Sequence, residues 1–480
     1  MKVQNFINNK FVPSSEHIDS VCPADGTVNA QLPDSTPAEV DAAVKAARAA
    51  FPAWSRTPRE ERARMLRRIA DLLEKDLEEF AKLESQDQGK PVWLAREIEI
   101  PRCVSNFRFF ADVIMNPVEH ATHMEQANAV NYVQRMPVGV AGLISPWNLP
   151  LYLLTWKIAP CLAFGNTAVC KPSELSSLTA HRLCSIFQSA GLPAGVVNMV
   201  FGTGPRTGNA LVSHPDVPLI SFTGGTVTAQ HIIKASAPFY KKLSLELGGK
   251  NAGIIFDDAD LAQCVPTVVR SSFQNQGEIC LCTSRLLVQR GIFEEFMKRY
   301  IEGVRALRVG DPSDPNTKVG ALICEGHLLK IERYVAAARK QGGIIECGGK
   351  RPTFQGRLAG GYYYLPTVIS GLPHSSSVCQ EEIFGPVVTV VVFDTEEEAI
   401  TLANDVTYGL AASVWSENAG RLHRVAREIQ AGTVWCNCWM LRDLRMPFGG
   451  MKQSGVGREG GFDSAEFFTE AKTICIKYGA

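Results

Sequence analysis

From Val138 onward, short apolar runs alternate with stretches of helical periodicity. Val138–Ile144, Thr167–Lys171, Val196–Phe201, Leu219–Phe222 and Leu243–Leu247 read as buried strands. Between them, Leu178–Ala190 carries apolar positions at helical spacing and is closed by Gly191. Strands without polar alternation, separated by helices, predict a parallel sheet covered on both faces. A second set follows at Gly253–Phe256, Leu286–Gln289, Val387–Phe393 and Ala411–Trp415, with helices near 292–306, 326–341, 396–404 and 418–430. The expected fold class is therefore α/β: a doubly wound parallel-sheet unit, then a second α/β unit opening near Gly248-Gly249.

Upstream, Thr36-Pro37-Ala38-Glu39 and Thr57-Pro58-Arg59-Glu60 each place Thr at a helix N-cap, Pro in the first turn and Glu three residues on. This order predicts a reciprocal capping box at both starts. The second helix carries Leu66, Ile69, Leu72, Leu73, Leu77 and Phe80 and stops near Gly89. Two segments, Ala129–Arg135 and Thr473–Lys477, alternate without a helical partner. They read as oligomerisation strands or, equally, as an edge hairpin and an ordered tail. The expected division is 1–117 with 138–248 as a dinucleotide-binding unit, 249–448 as a catalytic unit, and 118–137 with 464–480 as oligomerisation strands.

Bulk properties narrow the function. Lys plus Arg and Asp plus Glu both number 49 in 480 residues, so there is no overall basic excess for holding nucleic acid. Residues 1–20 show no signal-peptide core. The apolar stretch Leu143–Phe164 is broken by Pro146, Asn148, Pro150, Lys157 and Pro160, so a membrane span is not expected. The 14 cysteines include no CxxC pair and mostly sit in apolar segments such as those of Cys161, Cys170 and Cys184. That is the usage of reduced cytoplasmic proteins, and no metal site is expected.

Candidate chemistry concentrates in Phe273-Gln274-Asn275-Gln276-Gly277-Glu278-Ile279-Cys280 and, 34 residues before that cysteine, in Leu245-Glu246-Leu247-Gly248-Gly249-Lys250. A carboxylate inside an apolar run, as Glu246 is, is costly to bury without a role. Phe222-Thr223-Gly224-Gly225 ends a strand and opens a helix, so its N–H groups can face a pyrophosphate. Gly202-Thr203-Gly204-Pro205-Arg206-Thr207-Gly208 only imitates a dinucleotide fingerprint: it is one residue too long, and its Pro lacks a donor.

These motifs resemble those of the aldehyde dehydrogenase family. Pro146-Trp147-Asn148-Leu149-Pro150, Lys171-Pro172-Ser173-Glu174, Glu381-Glu382-Ile383-Phe384-Gly385-Pro386 and Pro447-Phe448-Gly449-Gly450 follow in the family's order, so the resemblance spans nearly the whole chain. It implies NAD-dependent oxidation of an aldehyde to an acid. Cys280 would be the nucleophile, with Cys282 a packing neighbour; Asn148 and the Cys280 N–H would hold the oxyanion, and Glu246 would be the base that opens the thioester. For NAD it implies Ser145, Trp147, Lys171, Ser173, Glu174, Thr223, Gly224, Gly225, Leu247, Glu382 and Phe384. An acid at Glu174 would favour NAD over NADP. A homotetramer built as a dimer of dimers is implied as well.

Three positions depart from the broad pattern: Glu278 for Gln, Gly225 for Ser and Ala229 for Gly. An inward-pointing Glu278 carboxylate would oppose thiolate formation. Within the family, Ile100–Phe110, Gly142–Lys157, Gly277–Arg285 and Asn437–Arg442 are most similar to the branch acting on 2-aminomuconic 6-semialdehyde in tryptophan (kynurenine) catabolism. That likeness implies that Arg102 and Arg442 grip a substrate carboxylate, which suits the bidentate fork of a guanidinium. Other aldehydes (retinal, 2-hydroxymuconic semialdehyde, betaine aldehyde), a CoA-acylating relative and a silent, crystallin-like structural protein stay open at this point.

Overall fold

The computed structural model describes residues 2–479. Met1 and Ala480, the outermost positions of the expected first unit and last strand, lie outside them. Two sheets organise the chain. The first has eight strands, with five parallel ones at its centre in the spatial order Val197–Met199, Thr167–Lys171, Val140–Ile144, Leu219–Thr223, Lys242–Glu246. All but the first two residues of Lys242–Glu246 are buried in these strands, as their unbroken apolar runs require. The chain runs outward from Val140–Ile144 in one direction, then returns to start Leu219–Thr223 on its other side. That reversal opens a crevice at the carboxyl ends of the strands, the place where open α/β sheets bind ligands.

Pairings distant in sequence complete this sheet: Asn5–Ile7 with Lys10–Val12 at one edge, Gly455–Val456 at the other. Gly455–Val456 belongs to the part of the chain that follows the second sheet, so the chain returns to the first sheet after completing the second. The second sheet has seven strands in the order Ile344–Cys347, Thr367–Ser370, Val387–Phe393, Arg285–Gln289, Ala252–Ile255, Ala411–Trp415, Thr433–Cys436; only the first is antiparallel. The two alternating segments pair with each other in an antiparallel ladder from Thr469↔Pro137 to Lys477↔Ala129, joined by Ala121–Met124. Among the described residues no helix is long and apolar enough to cross a membrane.

The two expected capping boxes differ. Thr36 accepts from the Glu39 N–H while the Glu39 carboxylate takes the Thr36 N–H, and the helix runs Pro37–Trp54. At the second start Thr57 caps nothing. Pro58 takes the N-cap position of Arg59–Lys75, and the Thr57 hydroxyl is spent on the Ala53 carbonyl of the preceding helix. The preceding helix ends so close by that its last carbonyls compete for the hydroxyl. The expected single helix to Gly89 is also two, Arg59–Lys75 and Leu77–Gln88, broken at Asp76 and closed by Gly89 at φ 89°.

Replacing Thr36 with Ala should cost about 1 kcal/mol locally, so the Glu39 and Val40 amides should exchange with solvent about fivefold faster. Thr57→Ala should leave the amides of Glu61 and Arg62 unchanged. Equal behaviour of the two variants by hydrogen exchange would contradict this assignment of the caps.

Candidate active site

Strand ends in register set the site. Ile144 lies beside Lys171, Phe222 beside Ile144, and Thr223 beside Glu246. The loop after Ile144 carries Ser145, Trp147 and Asn148 and enters the helix Pro150–Ala163. A cleft of about 280 Å³ opens here, lined by Trp147, Asn148, Thr223, Gly224, Gly225, Leu247, Gly248, Cys280, His327, Lys330, Glu382 and Phe384. Lys171 ends the neighbouring strand, beside Ile144, and its Nζ lies 3.0 Å from the Glu174 carboxylate; Ser173 lies between them in sequence. Of the sequence-selected hydroxyls, Ser145 Oγ and Thr223 Oγ1 are buried without a protein partner.

Cys280 reaches this cleft on a loop with unusual backbone. Asn275, Gln276 and Gly277 take φ values of 52°, 58° and 73°, three left-handed residues in succession. Only glycine fits the third: a Cβ at Gly277 would stand 2.4 Å from the Gly385 carbonyl. Side chains distant in sequence then fix the carbonyls that follow. Asn251 Nδ2 donates to the Cys280 carbonyl at 2.6 Å and the Cys282 carbonyl at 2.9 Å, and Trp439 Nε1 donates to the Leu281 carbonyl at 3.0 Å. Asn148 is held as firmly. Its carbonyl accepts from Lys90 Nζ at 3.0 Å and Asn275 Nδ2 at 3.1 Å, and its own amide donates to the Glu278 carbonyl at 2.8 Å. That leaves the second N–H of the Asn148 amide available, and no described hydrogen bond uses the Cys280 N–H as donor.

Glu278 does not point at the thiol. Its carboxyl accepts from Gln88 Nε2 at 2.7 Å and the Ile323 N–H at 3.2 Å, with His327 Nε2 3.7 Å away. Burial raises its pKa well above the ordinary carboxylate value, so little charge is available to oppose a thiolate. At Gly225 an added Cβ would meet open space, and Ala229 is absorbed in the core beside Phe222 and Ile232. Neither departure obstructs the cleft.

The thiol and the carboxyl at the centre are both held toward their neutral forms. Burial pushes Cys280 up, with Glu246 and Glu382 adding to it and Arg442 opposing. Burial also raises Glu246 well above the usual carboxylate range, reinforced by Glu459 and opposed by Lys157, Arg442 and Arg458. Both Glu246 carboxylate oxygens lack a protein hydrogen bond although the residue is 4% exposed. A buried acid left unpaired is expensive unless a reactant or water meets it.

Arg102 and Arg442 share one aromatic floor. The Arg102 guanidinium lies 5.0 Å from the Tyr152 ring and 5.5 Å from Trp156; that of Arg442 lies 4.9 Å from Trp156 and 3.9 Å from Phe448. Arg102 Nη2 and Arg442 Nε and Nη2 are buried with no hydrogen-bond acceptor. Burial, and beyond it the positive charge of Arg442, lowers the Arg102 pKa despite the nearby Tyr152. Arg442 also borders an open depression with Phe109 and Leu441–Arg445.

Sequence reading passed over several residues here. His327 and Lys330 line the cleft from the helix Glu325–Lys340, and Lys157 Nζ joins Ser221 Oγ at 3.0 Å to the Glu459 carboxylate at 3.1 Å. The i, i+3 spacing of His327 and Lys330 was the only available signal, and it is common on solvated helices. Glu382 arrives from the second sheet, its carboxylate accepting from the Gly249 N–H at 2.9 Å. A side chain at Gly248 would collide with it, its Cβ falling 2.2 Å from that carboxylate.

The chain matches the model of the Aldehyde dehydrogenase family over residues 11–474. It is 57% identical over 480 residues to the 2-aminomuconic semialdehyde dehydrogenase of Bos taurus, covering 100% of this chain and 99% of the relative. Identity to the 2-hydroxymuconic semialdehyde dehydrogenase of Pseudomonas sp. (strain CF600) is 48%, covering 99% of each. An NAD+ complex structure of aldehyde dehydrogenase from Bacillus cereus superposes with a TM-score of 0.97 at 37% identity, over 100% of this chain and 97% of that one. The cleft, its half-buried cysteine and its unpaired glutamate are therefore those of a chain that belongs to the aldehyde dehydrogenase family.

Proposed function

We propose that this protein oxidises an anionic semialdehyde, 2-aminomuconate 6-semialdehyde, to its dicarboxylate with NAD, in the kynurenine route of tryptophan catabolism. The observation that carries the substrate class is the pair of half-buried guanidiniums, Arg102 and Arg442, in which Arg102 Nη2 and Arg442 Nε and Nη2 are buried without an acceptor. A neutral aldehyde would leave both charges uncompensated, whereas a carboxylate satisfies both at once. Arg442 also acts electrostatically on both Cys280 and Glu246, which joins the anion site to the reacting centre.

The residues present fit NAD: two orphaned hydroxyls at Ser145 and Thr223, a helix start at Gly225, and a glycine at 248 that admits Glu382. Ser145, Trp147, Thr223, Gly224, Gly225, Leu247, Glu382 and Phe384 would hold its phosphates and nicotinamide half, and Lys171, Ser173 and Glu174 its adenosine half. NAD bound there supplies the hydride acceptor. Cys280 Sγ, once deprotonated, bonds to the aldehyde carbon, and the carbonyl electron pair moves to oxygen. Asn148 Nδ2 and the Cys280 N–H meet that oxygen. When the carbon has given up its hydride it is a thioester. Glu246 then takes a proton from water, the hydroxide oxygen bonds to the acyl carbon, and the Cys280 C–S bond breaks. Cys282 is turned into the core and its thiol is directed at the Gln274 carbonyl, so it packs rather than reacts.

We also assign the three-stranded sheet to assembly. The strand Thr469–Lys477 leaves one edge free and is largely exposed, and Met124, Tyr132, Met136 and Ile476 stand exposed on this sheet. A dimer of dimers of cytoplasmic subunits is the expected form.

Two measurements test this. NADH formation with 4-formylbenzoate and with the similarly shaped but neutral 4-methylbenzaldehyde should favour the anion. Arg102→Ala with Arg442→Ala should lower kcat/KM for the anion about 100-fold or more, since each lost charge-assisted contact is worth about 1.5–3 kcal/mol; a double variant with unchanged preference would refute the anionic substrate. Sedimentation should show four copies, and removal of residues 469–480 should yield smaller species; a monomer in the intact protein would refute the assembly.

A further inference from the structure

Asn106 is fully buried on the helix Ile100–Val113, one turn beyond Arg102. Its Nδ2 donates to the Tyr152 carbonyl at 3.2 Å and to Thr155 Oγ1 at 3.1 Å, both on the helix Pro150–Ala163. A backbone carbonyl can only accept, so the amide has one workable orientation, with Oδ1 toward Arg102. There it accepts from Arg102 Nε at 3.0 Å. The guanidinium is planar, so fixing Nε and laying the group over Tyr152 and Trp156 fixes where its other nitrogens point. Nη2 is left buried and without an acceptor.

We propose that Asn106 is a positioning residue for substrate selection: it aims the Arg102 fork while leaving its charge for an incoming carboxylate. The choice of an amide matters. An aspartate at this position would reach the same Nε but would neutralise the guanidinium from within and present a second oxygen to the Tyr152 carbonyl. A neutral acceptor orients the cation without competing with the ligand. Among the described residues Arg102 has no carboxylate partner, unlike Arg96 and Arg135, which have one each, and Arg108, which has two. The inference rests on the proposed anionic substrate and adds the means by which the site keeps one cation free.

The test is the ratio of kcat/KM for 4-formylbenzoate to that for 4-methylbenzaldehyde, with NAD binding followed by calorimetry. Asn106→Asp should lower the ratio roughly 10- to 100-fold, and Asn106→Ala roughly 5- to 10-fold, mainly through a higher KM for the anion. Damage to the fold would lower both aldehydes together and leave the ratio in place. Should Asn106→Asp fail to fold, the Ala variant decides. If Arg102→Ala with Arg442→Ala abolishes the anion preference while both Asn106 variants keep it, the role of Asn106 is wrong and the anionic substrate stands. If the arginine variants keep the preference, the substrate reading itself has failed.

Discussion

Asn148 is gripped from three directions, and the arrangement of the reacting groups depends on that grip. Its carbonyl takes hydrogen bonds from Lys90 and Asn275, and its side chain donates to the Glu278 carbonyl. Lys90 lies just past the helix Leu77–Gln88, Asn148 follows a strand of the first sheet, and residues 275–278 lead into the second sheet. Three stretches of chain thus meet at one residue. Loss of the bond to the Glu278 carbonyl would leave the buried Asn148 amide unpaired, which costs about 1–3 kcal/mol. The proposed oxyanion donors would thereby be set before any carbonyl arrives, the condition under which fixed dipoles stabilise charge most effectively.

The same burial that fixes geometry also suppresses charge. Cys280 and Glu246 are pushed toward protonated forms chiefly by desolvation; Glu246 adds to the cost of ionising Cys280, and Glu459 to that of ionising Glu246. In the proposed reaction Cys280 must lose a proton to attack, and Glu246 must be ionised when it takes one from water, so the two charges are needed at different moments. A standing thiolate in this cleft would be exposed to oxidation, and a standing carboxylate beside it would repel the anionic sulfur. Arg442 opposes both shifts and also faces the proposed carboxylate site. A substrate carboxylate paired with it would offset its field at both groups, which links the anion site to the protonation of the centre.

Much of this was legible in residues 138–256, where continuous apolar runs can only be interior parallel strands. Motifs that carry chemistry in contiguous residues, such as Leu245–Lys250 and Phe273–Cys280, announced themselves for the same reason. What stayed hidden comes from single residues acting across long sequence separations. Asn251 and Trp439 hold the nucleophile loop, yet each is an ordinary residue in its local pattern. Thr57 carried the same local signal as Thr36, and only the proximity of the Ala53 carbonyl diverted it. The ladder between 129–137 and 469–477 likewise follows no local rule; alternation showed the strands but not their partners. Glu278 and its neighbours Gln88 and His327 needed three dimensions before the carboxyl could be seen to face away from the sulfur.

The central claim is that Cys280 and Glu246 serve one bound carbonyl in turn. The most direct measurement is peptide-resolved mass spectrometry of the Glu246→Gln protein quenched after mixing with NAD and 4-formylbenzoate. The account predicts an acyl adduct that accumulates on Cys280, close to one per chain, and persists because water is no longer activated. An adduct on Cys282, or none at all while turnover continues at the original rate, would contradict it.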